Sequence, residues 1–409
     1  MRSACPACAA VWRAWGQALR ALAADKGVLL LLLGAPLLYS VFYPWFYSTE
    51  AVTRVPVAVV DLDHSRLSRQ ITRFAQASPR IEVRWVAGNE HAAQQALWRG
   101  DIQGYAVLPA DLQRSVARGS AAVVSVQANG AYALLNKAVL SGFAEAVGTV
   151  SAGIEIRKLQ ASGLGSAQAA AARNPLQVQM VALFNPAEGY GSFVVPAVAL
   201  LILQQTLLMG VALRVGSWVE SGQHRASAST WLGRLLAFSS LGLLSGAYYF
   251  GWTFWLNGYP RGGNPLGALV LLALYVPAVA ALGALLGLWF GDRERALQVL
   301  LFTSLPLAFM GGFSWPAESL PEALQWARWL SPSTAGIQAS LRLNQLGAPL
   351  AAAAPQLAVL AGIFCSATAA LLLWARPVQP PPSQAHDPDP APAPAHAPRA
   401  PPGDLPGNL

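Results

Sequence analysis

The sequence predicts a polytopic α-helical membrane protein of six transmembrane helices, with an α/β extracytoplasmic domain inserted after the first. Three observations predict it. The 409 residues are 54% hydrophobic and only 11% charged, whereas soluble domains carry about a quarter charged residues. The apolar residues come in blocks, each of roughly the 17–25 residues that cross a bilayer core as a helix. A single long polar stretch, residues 48–189, separates the first block from the rest.

The blocks run near Val28–Tyr47, Tyr190–Val215, Leu235–Leu256, Leu266–Phe290, Leu297–Phe313 and Pro355–Trp374. The fifth is the shortest, and Pro306 interrupts it. The leader, residues 1–26, holds Arg2, Arg13, Arg20 and Lys26 against the single acid Asp25, which assigns it to the cytoplasm. With six spans, both termini are cytoplasmic. Arg225 and Arg234 follow the second span, and Arg293 and Arg295 the fourth, while the loop after the third offers only Arg261. This asymmetry accounts for the net charge of +8. No basic cluster of groove size is present, so nucleic acid is not an expected partner and membrane lipid is. The first block ends in YPWFYSTE rather than a small-x-small site, so it reads as an uncleaved anchor.

Residues 48–189 read as a domain of about 140 residues, an ordinary size. Strands are predicted at Arg54–Asp61, Arg80–Ala87, Gly104–Leu108, Ala121–Gln127 and Leu176–Phe184. Helices are predicted at residues 64–78, capped by the Ser or Asp before it, at Asn89–Arg99, and from Ala131 to about Gln160. Alternating helices and strands imply a mixed sheet covered on at least one face. Residues 190–375 form a five-helix membrane region, and the proline-dominated residues 376–409 a disordered cytoplasmic tail.

Chemistry is scarce. No phosphate-binding loop, GxGxxG or GxSxG occurs, and nothing has zinc-ligand spacing. Cys5 and Cys8 lack a second ligand pair. The run Asp61-Leu62-Asp63-His64 admits a metal reading but suits a strand end followed by a helix cap. Gln204 and Gln205, together mid-span, are candidates for lining a pathway or for joining helices by hydrogen bonds. No span carries an acid near its middle, which argues against an ion-coupled carrier. Residues 306–335 break at Gly311-Gly312 and continue through two prolines into an amphipathic stretch, as a short helix at or dipping into the outer interface would.

Three stretches resemble the type-2 ABC exporter permeases, in the branch with a large extracytoplasmic domain between the first two helices. FNPAEGYGSFVVPAVALLILQQTLLMG is similar to the family's entry into the second helix. GGFSWPAESLPEALQWARWLSPST resembles its re-entrant signature, with Gly312, Pro316 and Pro321 in place, in a segment near 311–335. LRLNQLGAPL resembles the approach to the last helix. The likeness covers roughly residues 20–375. It implies a permease subunit of an efflux system in the bacterial inner membrane. ATP and Mg would be used by a separate cytosolic ATPase, with no cofactor in this chain. A second permease subunit and a periplasmic adaptor are the further partners implied. The ATPase would dock on Ser217–Arg225, including Glu220, His224 and Arg225, and on Asp292, Arg293, Glu294 and Arg295. One departure stands out: the R-E-x-E-x-G-T run of many relatives reads ALRVGSWVESGQHRASASTW here and keeps at most Glu220. The competing reading is a non-transporting receptor or scaffold whose outer domain binds a ligand. An intramembrane enzyme lacks any nucleophile or metal set.

Overall fold

The computed structural model describes residues 6–174, 183–185 and 188–376. The chain begins in α1 (Pro6–Ala24), whose Ala14, Ala18 and Leu22 are buried while Trp12, Arg13 and Arg20 face outward. Asp25 then caps the next helix, its side chain accepting the Val28 N–H. That helix runs as α2 (Lys26–Leu29), a π-helical turn (Leu30–Gly34) and α3 (Ala35–Phe46), giving one apolar rod over Lys26–Phe46.

The polar stretch folds as an α/β unit with its own cores. Its strands are β1 (Val55–Asp61), β2 (Ile81–Ala87), β3 (Gly104–Leu108) and β4 (Ser125–Ala128), ordered β2-β1-β3-β4. β1 pairs in parallel with β2 and β3, and β3 pairs antiparallel with β4. Helices α4 (Arg66–Ala77), α5 (Glu90–Arg99) and α6 (Leu112–Ala117) connect the strands, and α7 (Ala133–Ala161) and α8 (Ser166–Arg173) follow them. Central β1 explains its own sequence. Val55, Val57 and Val59 face a core completed by Ile71 of α4 and Phe143 of α7, while Ala58 and Val60 face a second core with Ala93 and Ala96 of α5. A strand covered on both faces must be apolar throughout, hence VPVAVV.

Helices α4 and α5 start one or two residues inside their predicted bounds. Ser65 forms a capping box with Ser68, and Asn89 accepts the Ala92 N–H. Three features differ from expectation. The fourth strand is shorter and later, because its first residues find no ladder partner, although Ala122 and Val124 pack against the core. A short helix, α6, and a second, α8, occupy stretches read as connections. Most of the predicted strand Leu176–Phe184 lies outside the described residues, and its last two, Leu183 and Phe184, form a bend.

The rest is a helix bundle. It comprises α9 (Tyr190–Glu220), α10 (Ala228–Ala247), a π turn (Tyr248–Thr253) leading into α11 (Phe254–Leu256), α12 (Pro265–Phe290), α13 (Arg293–Met310), α14 (Glu322–Ala327), α15 (Pro332–Ser340) and α16 (Ala354–Trp374). α9 is the central element: 83% of its apolar window is buried, against 17% for the last helix. Small residues let its neighbours approach. A Cβ on Gly283 or Gly287 of α12 would lie 3.2 or 2.8 Å from Val211 or Val215 of α9.

Among the described residues, five helices are long and apolar enough to cross a membrane: Lys26–Phe46, Ala133–Ala161, Tyr190–Glu220, Pro265–Phe290 and Leu350–Trp374. Ala133–Ala161 is α7, which covers the sheet, so four of the five coincide with predicted spans. The third and fifth predicted spans are helical but fall outside this set. One is rich in Ser, Gly and Tyr, and the other opens on Arg293, Glu294 and Arg295.

Two crossing points join the α/β unit to the bundle, and they are stitched together. The Glu50 carboxylate accepts the Ser192 N–H at 2.9 Å and the Ser192 hydroxyl at 3.0 Å, and the Glu50 carbonyl accepts the Tyr190 N–H at 2.7 Å. An acid at this position satisfies the free N–H groups of α9 and complements its dipole. A Cβ on Gly189 would displace the Glu50 carboxylate from this position.

Candidate functional site

α2 starts, and α9 ends, at the end of the bundle away from the sheet, and there the charged residues converge. Arg293, at the first position of α13, donates to both carboxylate oxygens of Asp25, at 2.8 and 3.0 Å. It also donates to the Ser217 hydroxyl at 2.9 Å, and its own N–H donates to Glu220 Oε1 at 2.9 Å. Arg214 Nη1 lies 3.6 Å from Asp25 Oδ2, the oxygen that Arg293 Nη1 also binds. One guanidinium thus ties the start of α2, the last turns of α9 and the first turn of α13. The contact is close: a Cβ on Gly216 would sit 2.9 Å from the Arg293 backbone. The bidentate Arg293 hydrogen bonds hold the Asp25 carboxyl at about 2, below the ordinary 3.8. The backbone N–H groups of Arg295 and Glu294 likewise hold Asp292, the cap of α13, below the usual carboxylate range.

Of the seven residues predicted to meet a partner, Glu220 and Arg293 are brought together and Asp292 caps the helix beside them. Glu294, Arg295 and Arg225 are exposed, free of this cluster. His224 contributes its carbonyl, which accepts the Trp231 indole N–H at 3.0 Å. Arg234 in turn lies against both Trp218 and Trp231, its guanidinium 4.0 Å from the first ring centroid and 4.8 Å from the second. Sequence reasoning missed Asp25 and Arg214 as members of this cluster, and took Ser217 only as the start of the docking loop. The signal for the first two was available: a lone acid in a basic leader, and a lone cation seven residues inside an apolar helix, each needs a partner.

The glutamine pair sits inside the bundle. Gln204 Nε2 donates to Ser331 Oγ at 3.3 Å, and Gln205 Nε2 donates to the Leu300 carbonyl at 3.2 Å. They therefore connect α9 to the start of α15 and to α13, and both Oε1 atoms are buried without a donor.

The segment after α13 turns at Gly311-Gly312. Gly312 has φ +74°, and its face lies against Gln338 and Arg328. Pro316 precedes a single 3₁₀ turn (Ala317–Ser319) and Pro321 precedes α14. Trp315, Trp326 and Leu330 point outward. The segment does not stop near residue 335, as the sequence suggested. α15 continues it, buried throughout except at Gln338, and a π turn (Leu341–Gln345) extends it further. Proline at the first position and the buried Ser331–Ser333 hydroxyl pair start this helix inside the bundle.

The Asp61 run serves as a turn. Asp61 Oδ1 accepts the N–H groups of Asp63 and His64, and Oδ2 accepts the Ser68 hydroxyl at 2.7 Å. Its oxygens are thereby committed to the start of α4.

No curated protein matches the chain. The family model described as ABC-2 family transporter protein matches residues 26–374, from the first residue of α2 to the last of α16. That match takes in the α/β unit, the bundle and the charged cluster alike, and family membership brings with it a permease role beside a partner ATPase subunit in a multi-pass membrane protein. The chain belongs to the ABC-2 family of transporter proteins.

Proposed function

We propose that the chain is the membrane-spanning subunit of an ATP-driven exporter that moves hydrophobic, drug-like substrates out of the cell. The observation that carries the substrate class is the bundle interior. Among the described residues, Asp61 of the α/β unit is the only fully buried Asp, Glu, Lys or Arg. Inside the bundle the buried polar groups are amides and hydroxyls, among them Gln204, Gln205, Ser333, Thr334 and Asn344. Between its charged ends, such an interior offers little to a charged substrate and little penalty to an apolar one.

In this reading six spans cross the bacterial inner membrane, both termini are cytoplasmic, and the α/β unit lies outside, within reach of a periplasmic adaptor. A second permease subunit completes the pathway. The Asp25–Arg293–Glu220 cluster then faces the cytoplasm. It supports coupling because a push on the exposed Glu294 and Arg295 would move α2, α9 and α13 as one body. The degenerate run after α9 is compatible with coupling through this cluster instead. Affinity purification from native membranes in mild detergent, with mass spectrometry of the partners, tests the reading. A phosphate-loop ATPase is expected to copurify. Repeated recovery of the chain without any ATPase would favour a receptor or scaffold with a ligand-binding outer domain.

A further inference from the structure

We propose that the pocket beside the charged cluster binds the phosphate of an anionic phospholipid headgroup. The pocket, about 440 Å³, opens between the last turn of α1, the start of α2, α9 and α13, and is lined by Ala21, Ala24, Asp25, Lys26, Arg214 and Arg293. Its lining holds three cations and one carboxylate, while the neighbouring Glu220 carboxylate lies outside the lining on the Arg293 backbone N–H. The Asp25 carboxylate is already committed to Arg293 through two short hydrogen bonds, and it reaches Arg214 only at 3.6 Å. Arg214 Nε is buried without an acceptor, and Lys26 makes no ion pair among the described residues. A phosphate supplies the acceptor oxygens this pocket lacks, in the geometry a guanidinium prefers.

The pocket's surroundings select a lipid over a free anion. α1 is amphipathic, packs its apolar stripe on α10, and turns Arg13, Arg20 and a 60%-exposed Trp12 outward. Such a helix lies at the level of headgroups. The apolar rod beginning at Lys26 then leaves the pocket mouth where a headgroup phosphate would sit beside its own acyl chains. Basic pockets between membrane helices hold acidic lipids by this combination of charge and depth. The inference needs only that this end of the bundle meets a membrane surface, and not that the protein exports anything.

The test uses the full chain, delipidated in mild detergent, with binding of phosphatidylglycerol and phosphatidylcholine followed by native mass spectrometry. Phosphatidylglycerol is expected to bind at least roughly tenfold more tightly, since the difference is charge at the pocket. Lys26→Gln, a change at an exposed side chain, is expected to weaken it about fivefold, as loss of one cation at a membrane surface does. Arg214→Gln is expected to weaken it further. Arg99→Gln, on the α/β unit, is the control and leaves it unchanged. Equal binding of the two lipids, or wild-type affinity in Lys26→Gln, overturns the proposal. Displacement of phosphatidylglycerol by excess inorganic phosphate would make the site one for a free anion. If Lys26→Gln abolished capture of the ATPase while leaving phosphatidylglycerol bound, the pocket would be a protein-docking site, and the lipid reading would fall.

Discussion

Asp25 is where the reach of single residues shows best. It lies in an otherwise basic leader, yet it caps α2 and bridges Arg293 and Arg214 from two other helices. Charge-assisted hydrogen bonds of this kind contribute about 1.5–3 kcal/mol each when shielded, and less here because Arg293 is partly solvated. Asp25→Asn is therefore expected to lower the thermal midpoint of the purified protein by a few degrees and to uncouple ATP hydrolysis from transport. The pH dependence has a definite sign. The folded-state value, about 2, lies below the unfolded 3.8. The pair is thus fully stabilising above about pH 4, and its contribution is lost only as pH falls toward 2. Between pH 5 and 8 the wild type and Asp25→Asn should differ by a constant amount. A difference that changed across that range would show that another group titrates the cluster. The same residue logic made part of the site legible. Glu220 and Arg293 stood out as charges at helix ends, whereas Ser217 entered only as the edge of the docking loop, since a serine after an apolar run is common in any helix.

At the scale of the element, α7 offers a contrast within one helix. A Cβ on Gly142 would meet Ile81 at 2.8 Å, while one on Gly148 would meet nothing within 4 Å. Gly142→Ala should destabilise the α/β unit by about 1–3 kcal/mol through overpacking. Gly148→Ala should stabilise it by about 0.5–1 kcal/mol, the usual gain at an open helical position. Thermal unfolding of the two variants checks both signs at once. α9 supplies the membrane counterpart. Gln205→Leu removes the hydrogen bond to the Leu300 carbonyl that ties it to α13, and such bonds between membrane helices average about 0.6 kcal/mol. A small loss of stability with intact transport would mark Gln205 as packing. A large change in substrate preference at unchanged stability would mark it as pathway lining. Elements with strong periodicity and caps, such as α4, α5 and β1, were legible to within a residue or two. α15 was not, because a run of Ser, Thr, Ala and Gly reads as a loop until the bundle closes around it.

For the whole molecule, the prediction is topological. In a background lacking the native cysteines, a cysteine in place of the exposed Trp98 of the α/β unit should be labelled from outside intact cells by an impermeant maleimide. A cysteine in place of Arg225 should be labelled only after the membrane is opened. The reverse pattern would invert the protein and its proposed partners. The hydrogen bonds between Glu50 and Ser192 bear on the same question, since they hold the two chain crossings between the α/β unit and the bundle side by side. By itself, the sequence determined the class of the molecule: apolar blocks of bilayer length, a polar insertion with β-branched strands, and no phosphate loop; the permease reading came from the family resemblance. These are properties of composition and period, which the chain carries locally. Only the tertiary structure decided which charges meet. Asp25, Arg214 and Arg293 are separated by up to 268 residues, and no local pattern encodes a partner so far away. Their pairing follows from how α2, α9 and α13 pack, and so does the excess of positive charge left facing the pocket between them.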